Sequence, residues 1–148
     1  MNEELASRLH QLWREGRRRS DGSCRPRLKR TTDPEWIAAR GGIDRVDIAN
    51  TRFRWLPKDF QRENIASAQV AMSLVLSALR AGHDLISADF VEDASDVVHI
   101  AWLDRNRAWA EPEQLPPYRD LSEAEKEKDR VVVRAAVDLV VAQLGRAR

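Results

Sequence analysis

Leu9-His10-Gln11-Leu12-Trp13 returns later in the chain as Val98-His99-Ile100-Ala101-Trp102. Subtracting 89 from the later segment also lays Ala94 over Leu5, so five apolar or aromatic positions stay in register. A second correspondence runs at an offset of 65, placing Tyr118, Leu121, Val133, Val137, Val140 and Leu144 over Phe53, Leu56, Ala68, Met72, Val75 and Leu79. The two offsets differ by 24, which gives the first copy an insertion of that length between its helices. Repeated helical units exist because one copy cannot bury its own apolar stripe. The repeat predicts a mainly α fold of two pseudo-twofold-related helix-loop-helix halves forming a four-helix core, with Trp13 and Trp102 as its equivalent buried anchors. The whole of residues 1–148 reads as one domain, with a first half-repeat over 1–82, a second over 87–148 and a mostly irregular insertion at about 24–50.

Local signals place the helices. Leu5, Leu9, Leu12 and Trp13 recur at helical spacing and predict a first helix from Asn2 to about Arg18, ended by basic residues that suit its dipole. Ser20-Asp21-Gly22-Ser23 is a turn. Within the insertion, Thr32-Asp33-Pro34 predicts one helical turn over Asp33 to Ala39. Val46 to Ile48 reads as a short strand, expected to pair with Arg52 to Trp55 in a hairpin across Asn50-Thr51. A second long helix is expected from Pro57 to Arg80, with Gly82 just beyond it. A third opens at Ser87 or Asp89 and stops before Pro112. Ser122-Glu123-Ala124-Glu125 is a capping box, and it marks the start of the fourth.

The charge pattern says more than its sum. The formal net charge is only +1. Arg14 to Arg30 nevertheless carries eight Arg or Lys against Glu15 and Asp21, while Glu111 to Arg130 is mostly acidic. Both segments suit solvated surface, and the basic one also suits an anion-binding face. The apolar stretch Val70 to Leu79 is far shorter than the roughly 20 residues a bilayer span needs. With no basic start followed by an apolar run, the N-terminus is not a signal peptide, and the expected location is the cytoplasm. A lone Cys24 fits that location, and three scattered histidines give no metal-ligand spacing.

His99-Ile100-Ala101-Trp102, then Arg105-Asn106, then Pro117-Tyr118-Arg119-Asp120-Leu121-Ser122 and Glu125-Lys126-Glu127-Lys128-Asp129-Arg130 together resemble the RyR domain. That family is named for the repeat of ryanodine receptors and has small bacterial and phage members. Leu9-His10-Gln11-Leu12-Trp13, Arg17, Gly22, Phe53-x-x-Leu56-Pro57 and Glu63-Asn64 follow the same outline, although the first copy lacks the tyrosine and carries the long insertion. The resemblance implies a cytosolic, non-catalytic interaction module, in bacteria one proposed to sense nucleotide-derived signals.

The chemistry-bearing residues are sparse. His10 and His99 form a symmetric pair of potential bases. A histidine three residues before a tryptophan on a helix more often packs beside it and bonds a carbonyl or carboxylate, and no nucleophile stands nearby. Asn64 and Asp129, aligned in the two copies, are the expected partners. Asp44 with Asp47, and Glu123 with Glu127, read as solvated surface rather than an acid–base or magnesium pair. No Gly-rich phosphate loop or nucleophile elbow is present.

These residues point to a binding module, with no catalytic residue, metal ligand or cofactor assigned. Its expected partner is an anionic small molecule or a protein, without a membrane, and it is compatible with homo-oligomers. The expected pocket lies between the insertion and the repeat core, lined by Arg17, Arg27, Lys29, Asn50, Trp55, Asn106 and Tyr118. One alternative is phosphate-backbone nucleic-acid binding through Arg14–Arg30. The segment has no interleaved aromatics, however, and the chain's pI of about 8.0 is modest for a dedicated binder. The other alternative is an enzyme of unassigned reaction.

Overall fold

α1 spans Asn2–Glu15, with Glu3 and Glu4 in its first turn and Arg14 in its last, so its ends complement the helix dipole. It stops short of Arg18 because the chain turns back on itself there. Arg18 pairs with Cys24 in an isolated antiparallel bridge, and Gly22 supplies the positive φ (89°) that the turn between them requires. The computed structural model describes all of residues 1–148.

The insertion folds into a small scaffold. β1 (Leu28–Arg30) and β2 (Arg45–Asp47) pair antiparallel, with Lys29 opposite Val46. Between them, α2 (Pro34–Ala38) begins where Asp33 accepts bonds from the backbone N–H groups of Glu35 and Trp36. The expected strand therefore exists, but its partner is Leu28–Arg30 and not Arg52–Trp55. The reason is local. The Asp47 carboxylate accepts from Ala49 N–H and starts a 3-10 turn over Ile48–Asn50, and a second such turn follows over Phe53–Trp55. A chain that coils twice in eight residues cannot also extend as a strand.

α3 spans Lys58–Arg80, α4 spans Ala88–Asn106, and α5 spans Glu123–Arg146. Ser87 caps α4 by accepting from Phe90 N–H, and Ser122 caps α5 by accepting from Glu125 N–H at 3.2 Å. Only half of the expected capping box forms at Ser122, because the Glu125 carboxylate turns to Lys128 at 2.7 Å. With five α-helices and one two-stranded sheet, the fold is mainly α.

Two compact units divide the chain. The first holds Met1 and Glu3–Ala66, the second Asn2 and Ser67–Arg148. Buried apolar residues of the first include Leu5, Ala6, Val46, Ala49, Phe53 and Leu56. In the second they form the facing stripes of α4 (Val91, Ala94, Val98, Leu103) and α5 (Val133, Ala136, Val137, Val140), with Ala68, Met72 and Val75 on α3. Each fully buried Leu or Val contributes roughly 1.5–3 kcal/mol of transfer free energy.

Inside the units the repeat is visible bond by bond. His10 Nε2 lies 2.7 Å from the Thr51 carbonyl, and His99 Nε2 lies 2.8 Å from the Pro116 carbonyl, so both offsets found in the sequence hold at one hydrogen bond. Phe53 and Tyr118 each open a 3-10 turn that closes with a bond from Leu56 or Leu121, and all four side chains are buried. Each histidine stacks on its tryptophan, with ring centroids 5.8 Å apart in the first copy and 6.4 Å in the second. The expected roles are exchanged, however. His10 and His99 are 6% and 4% exposed, whereas Trp13 is 38% exposed and Trp102 is only half-buried. The tryptophans cover the histidines from outside and do not anchor the core. An imidazole that spans two elements through a short bond is worth more inside than a larger ring with no partner for its N–H.

Candidate functional site, an arginine-lined cleft

Charge is divided unevenly between the units. The first carries 15 Arg or Lys against 10 Asp or Glu, the second 10 against 14, so the near-neutral chain has a basic unit and an acidic one. Within the basic unit lies an open cleft of about 670 Å³, lined by Ser7, Gln11, Arg14, Arg18, Gly22, Arg52, Phe53 and Arg54. Four guanidinium groups line it and no carboxylate does.

One wall comes from α1 and the turn after it. Ser7, Gln11 and Arg14 recur at i, i+4 and i+7, the spacing of a single helix face, and Arg18 continues that line into the turn. Two of these arginines are held in place. Arg14 donates from Nε to the Ala49 carbonyl at 2.8 Å and from Nη1 to Gln11 at 2.9 Å. Arg18 donates to both Glu15 oxygens, at 2.8 and 2.5 Å, and from Nη1 to the Gly22 carbonyl at 3.0 Å. The Arg18 guanidinium beside it holds the Glu15 carboxyl below the usual glutamate range, so the pair stays ionised.

The other wall is Arg52-Phe53-Arg54. Phe53 turns inward and is buried, which leaves the flanking arginines to face solvent. Neither makes a hydrogen bond or ion pair; Arg54 lies with its guanidinium 5.0 Å from the centre of the exposed Trp55 ring. The cleft thus combines two guanidiniums fixed by hydrogen bonds with two, Arg52 and Arg54, whose guanidiniums make no hydrogen bond or ion pair. Its lining can receive a negatively charged group.

The residues expected from the sequence are placed differently. Arg17, Arg27, Lys29, Asn50 and Trp55 belong to the first unit, Asn106 and Tyr118 to the second, and none of the seven lines the cleft. Arg17 donates to the carbonyls of Arg25 and Pro26 and lies over the Trp13 ring, where it braces the turn. Arg27 and Lys29 stand on the exposed edge of the insertion. Asn50 exchanges two bonds with the backbone of Cys24 and donates to Asp47, so its amide fastens the insertion. Asn106 bridges the Trp102 carbonyl and the Trp109 indole N–H.

Tyr118 is buried and donates to Glu92 at 2.8 Å, while Arg130 reaches the same carboxylate at 2.6 Å and the Tyr118 hydroxyl at 3.1 Å. That network holds Glu92 below its ordinary pKa, chiefly through the Arg130 bond. Sequence reasoning missed Arg14, Arg18, Arg52 and Arg54 as a group. Their signal was available: a helix-face line at 7, 11, 14 and 18, and two arginines flanking an apolar residue at a position the repeat marks as buried.

The histidines are occupied. Nε2 of each faces a carbonyl and so donates its N–H to it. On its other side His99 has Asp129, with Nδ1 to Oδ2 at 3.4 Å, as the alignment led one to expect. Burial first, then the nearby Glu125 charge, raises the Asp129 pKa to about 7, with Lys128 opposing. In the first copy the ring's hydrogen bond is the one to Thr51, and the expected Asn64 contact does not form. No group of three or more His, Cys, Asp or Glu comes together that could hold a metal ion, and no helix is long and apolar enough to cross a membrane. No family model, curated protein or solved structure matches this chain.

Proposed function

We propose that this protein is a non-catalytic binding module that recognises an anionic small molecule in the arginine-lined cleft of its first unit. The observation that carries the reading is the convergence of Arg14, Arg18, Arg52 and Arg54 on one cleft whose lining includes no carboxylate. Four like charges repel one another, and a folded chain keeps them together at a cost that a bound anion offsets. Guanidinium forks match phosphate and carboxylate oxygens in pairs of parallel bonds. A binding role, in preference to catalysis, is supported by the two histidines, whose Nε2 atoms are committed to backbone carbonyls. The RyR-domain reading is part of this proposal and rests on motif order alone.

Nucleic-acid binding is the second reading, favoured by one observation: Arg17, Arg40 and Arg54 each lie over a tryptophan ring in the basic unit. Thermal-shift measurement with inorganic pyrophosphate, citrate and a random-sequence oligonucleotide, each at low and physiological salt, separates the two. A rise in melting temperature with a small anion that is lost in Arg52→Ala supports the cleft. Steeply salt-dependent binding of the oligonucleotide with no effect of the small anions moves the function to the basic segment. No response to any of them would favour a protein partner.

A further inference from the structure

Resting on the anion-cleft reading, we infer that the group recognised is a short polyphosphate chain, and that a nucleoside attached to it is not read. Of the four arginines on the cleft, Arg18 is already compensated by Glu15, which leaves Arg14, Arg52 and Arg54. A phosphate monoester brings about −1.5 to −2 and leaves net repulsion, whereas two or three linked phosphoryl groups bring about −3 to −4 and match the excess.

The donors also come from two segments: the fixed guanidiniums from α1 and the turn after it, and those without a hydrogen bond or ion pair from Arg52–Arg54, so a ligand that meets both accepts from two sides. A carboxylate offers its two oxygens in one plane to one fork. Tetrahedral phosphoryl groups in a chain offer oxygens to both walls at once.

Phe53 is the lone aromatic residue on the lining and is 5% exposed, and the exposed Trp55 ring next to it has the Arg54 guanidinium over it. No Asp or Glu lines the cleft to accept bonds from a ribose or an exocyclic amine. Gln11, the one amide there, already accepts from Arg14 and donates to Glu15. Beyond its guanidiniums and the Ser7 hydroxyl the lining offers a base or ribose no free polar side chain, whereas every phosphoryl oxygen there meets the donor it accepts from.

Isothermal titration calorimetry at constant ionic strength tests this on the full chain, with inorganic tripolyphosphate, ATP, GTP, AMP and citrate as ligands. Wild type is compared with the Arg52→Ala/Arg54→Ala double variant and with Arg45→Ala, an exposed arginine of the same unit away from the cleft. Both cleft substitutions are at exposed side chains with no hydrogen bond to lose, and an unchanged circular dichroism melt verifies the fold. Tripolyphosphate, ATP and GTP are expected to bind within about threefold of one another, with AMP and citrate at least about tenfold weaker. The double variant should lose about tenfold or more for all three strong ligands, and Arg45→Ala should behave as wild type.

A tenfold preference between ATP and GTP, or nucleotide binding without tripolyphosphate binding, would show that the base is read and overturn the inference. Equal affinity for citrate or AMP, still dependent on Arg52 and Arg54, would overturn it while leaving the anion cleft standing. Binding indifferent to the double variant, or no binding of any of the five, would overturn both.

Discussion

Replacing His10 by alanine should destabilise the chain at least as much as replacing the larger Trp13. His10 is 6% exposed and Trp13 38%. Deleting the imidazole removes a buried ring, at roughly 2–3 kcal/mol for transfer and cavity together. It also leaves the Thr51 carbonyl without its 2.7 Å donor, at roughly 1–2 kcal/mol for a part-buried group. The sum is about 3–5 kcal/mol. Trp13 is 38% exposed, so Trp13→Ala loses the larger, covered part of its surface, at roughly 2–4 kcal/mol. His10→Phe separates the two contributions, because it keeps the ring and loses the bond, at roughly 1–2 kcal/mol. Urea unfolding followed by far-ultraviolet circular dichroism measures all three, with similar m-values as the check that the same transition is compared.

Acidity gives an independent handle on the same residue. Burial lowers the His10 pKa, the Thr51 carbonyl opposes it, the Arg14 charge adds to it and the Ile48 carbonyl opposes again. A depressed base binds fewer protons folded than unfolded. Its stabilising contribution is therefore whole above the unfolded value of 6.5 and is lost as pH falls from there through the folded pKa. His10→Phe should flatten that decline. If Trp13→Ala costs clearly more than His10→Ala, or if His10→Phe is neutral and declines with acid as wild type does, the histidine is not the clamp described here.

At Asp129 the sign reverses, because its pKa is raised from 3.8 to about 7. The folded state then holds the extra proton, so wild-type stability relative to Asp129→Asn should fall as pH rises between about 4 and 7, by at most about 1.4 kcal/mol per pH unit; parallel curves would refute the assignment. Ser122→Ala should cost about 1 kcal/mol in urea unfolding, through the unpaired Glu125 N–H, against little for Ser20→Ala. Asp33→Ala should accelerate amide hydrogen exchange at Glu35, Trp36 and Lys58 together, since one carboxylate accepts from all three; acceleration at the α2 positions alone would mean that the Lys58 bond carries no weight.

Periodicity made the helices legible. A stripe such as Val133, Val137 and Val140 has one environment to occupy, and burial followed. The two offsets were legible for a related reason: His10 to Thr51 and His99 to Pro116 are the same bond, and a bond constrains residues at both of its ends. What escaped was anything set by contacts distant in sequence. The partner of Val46 was decided by the Asp47 side chain coiling the next residues, which alternation of apolar and charged residues does not reveal. Side-chain size named Trp13 the anchor, where hydrogen-bonding capacity chose His10. For the site, the density of basic residues drew attention to Arg27 and Lys29, while the cleft formed where Arg14 and Arg18 meet Arg52 and Arg54 from more than thirty residues along the chain. Local charge counting has no access to that encounter.

Pro57 stands where the second copy has Ser122. Ser122 caps α5 from within its own turn, and proline has no side-chain oxygen with which to do the same for α3. The insertion supplies an acceptor to another donor of the same first turn: Asp33, which caps α2, also accepts from Lys58 N–H at 2.9 Å, and Asp59 in turn accepts from the Thr31 hydroxyl at 2.7 Å and from Thr32 N–H. The segment that arithmetic marks as an addition to the repeat has thus become a support of it. A shortened chain restored to the length of the second copy would start α3 with the Lys58 N–H unpaired, at about 1 kcal/mol, a loss that a serine or aspartate at position 57 would offset by capping α3 as Ser122 caps α5.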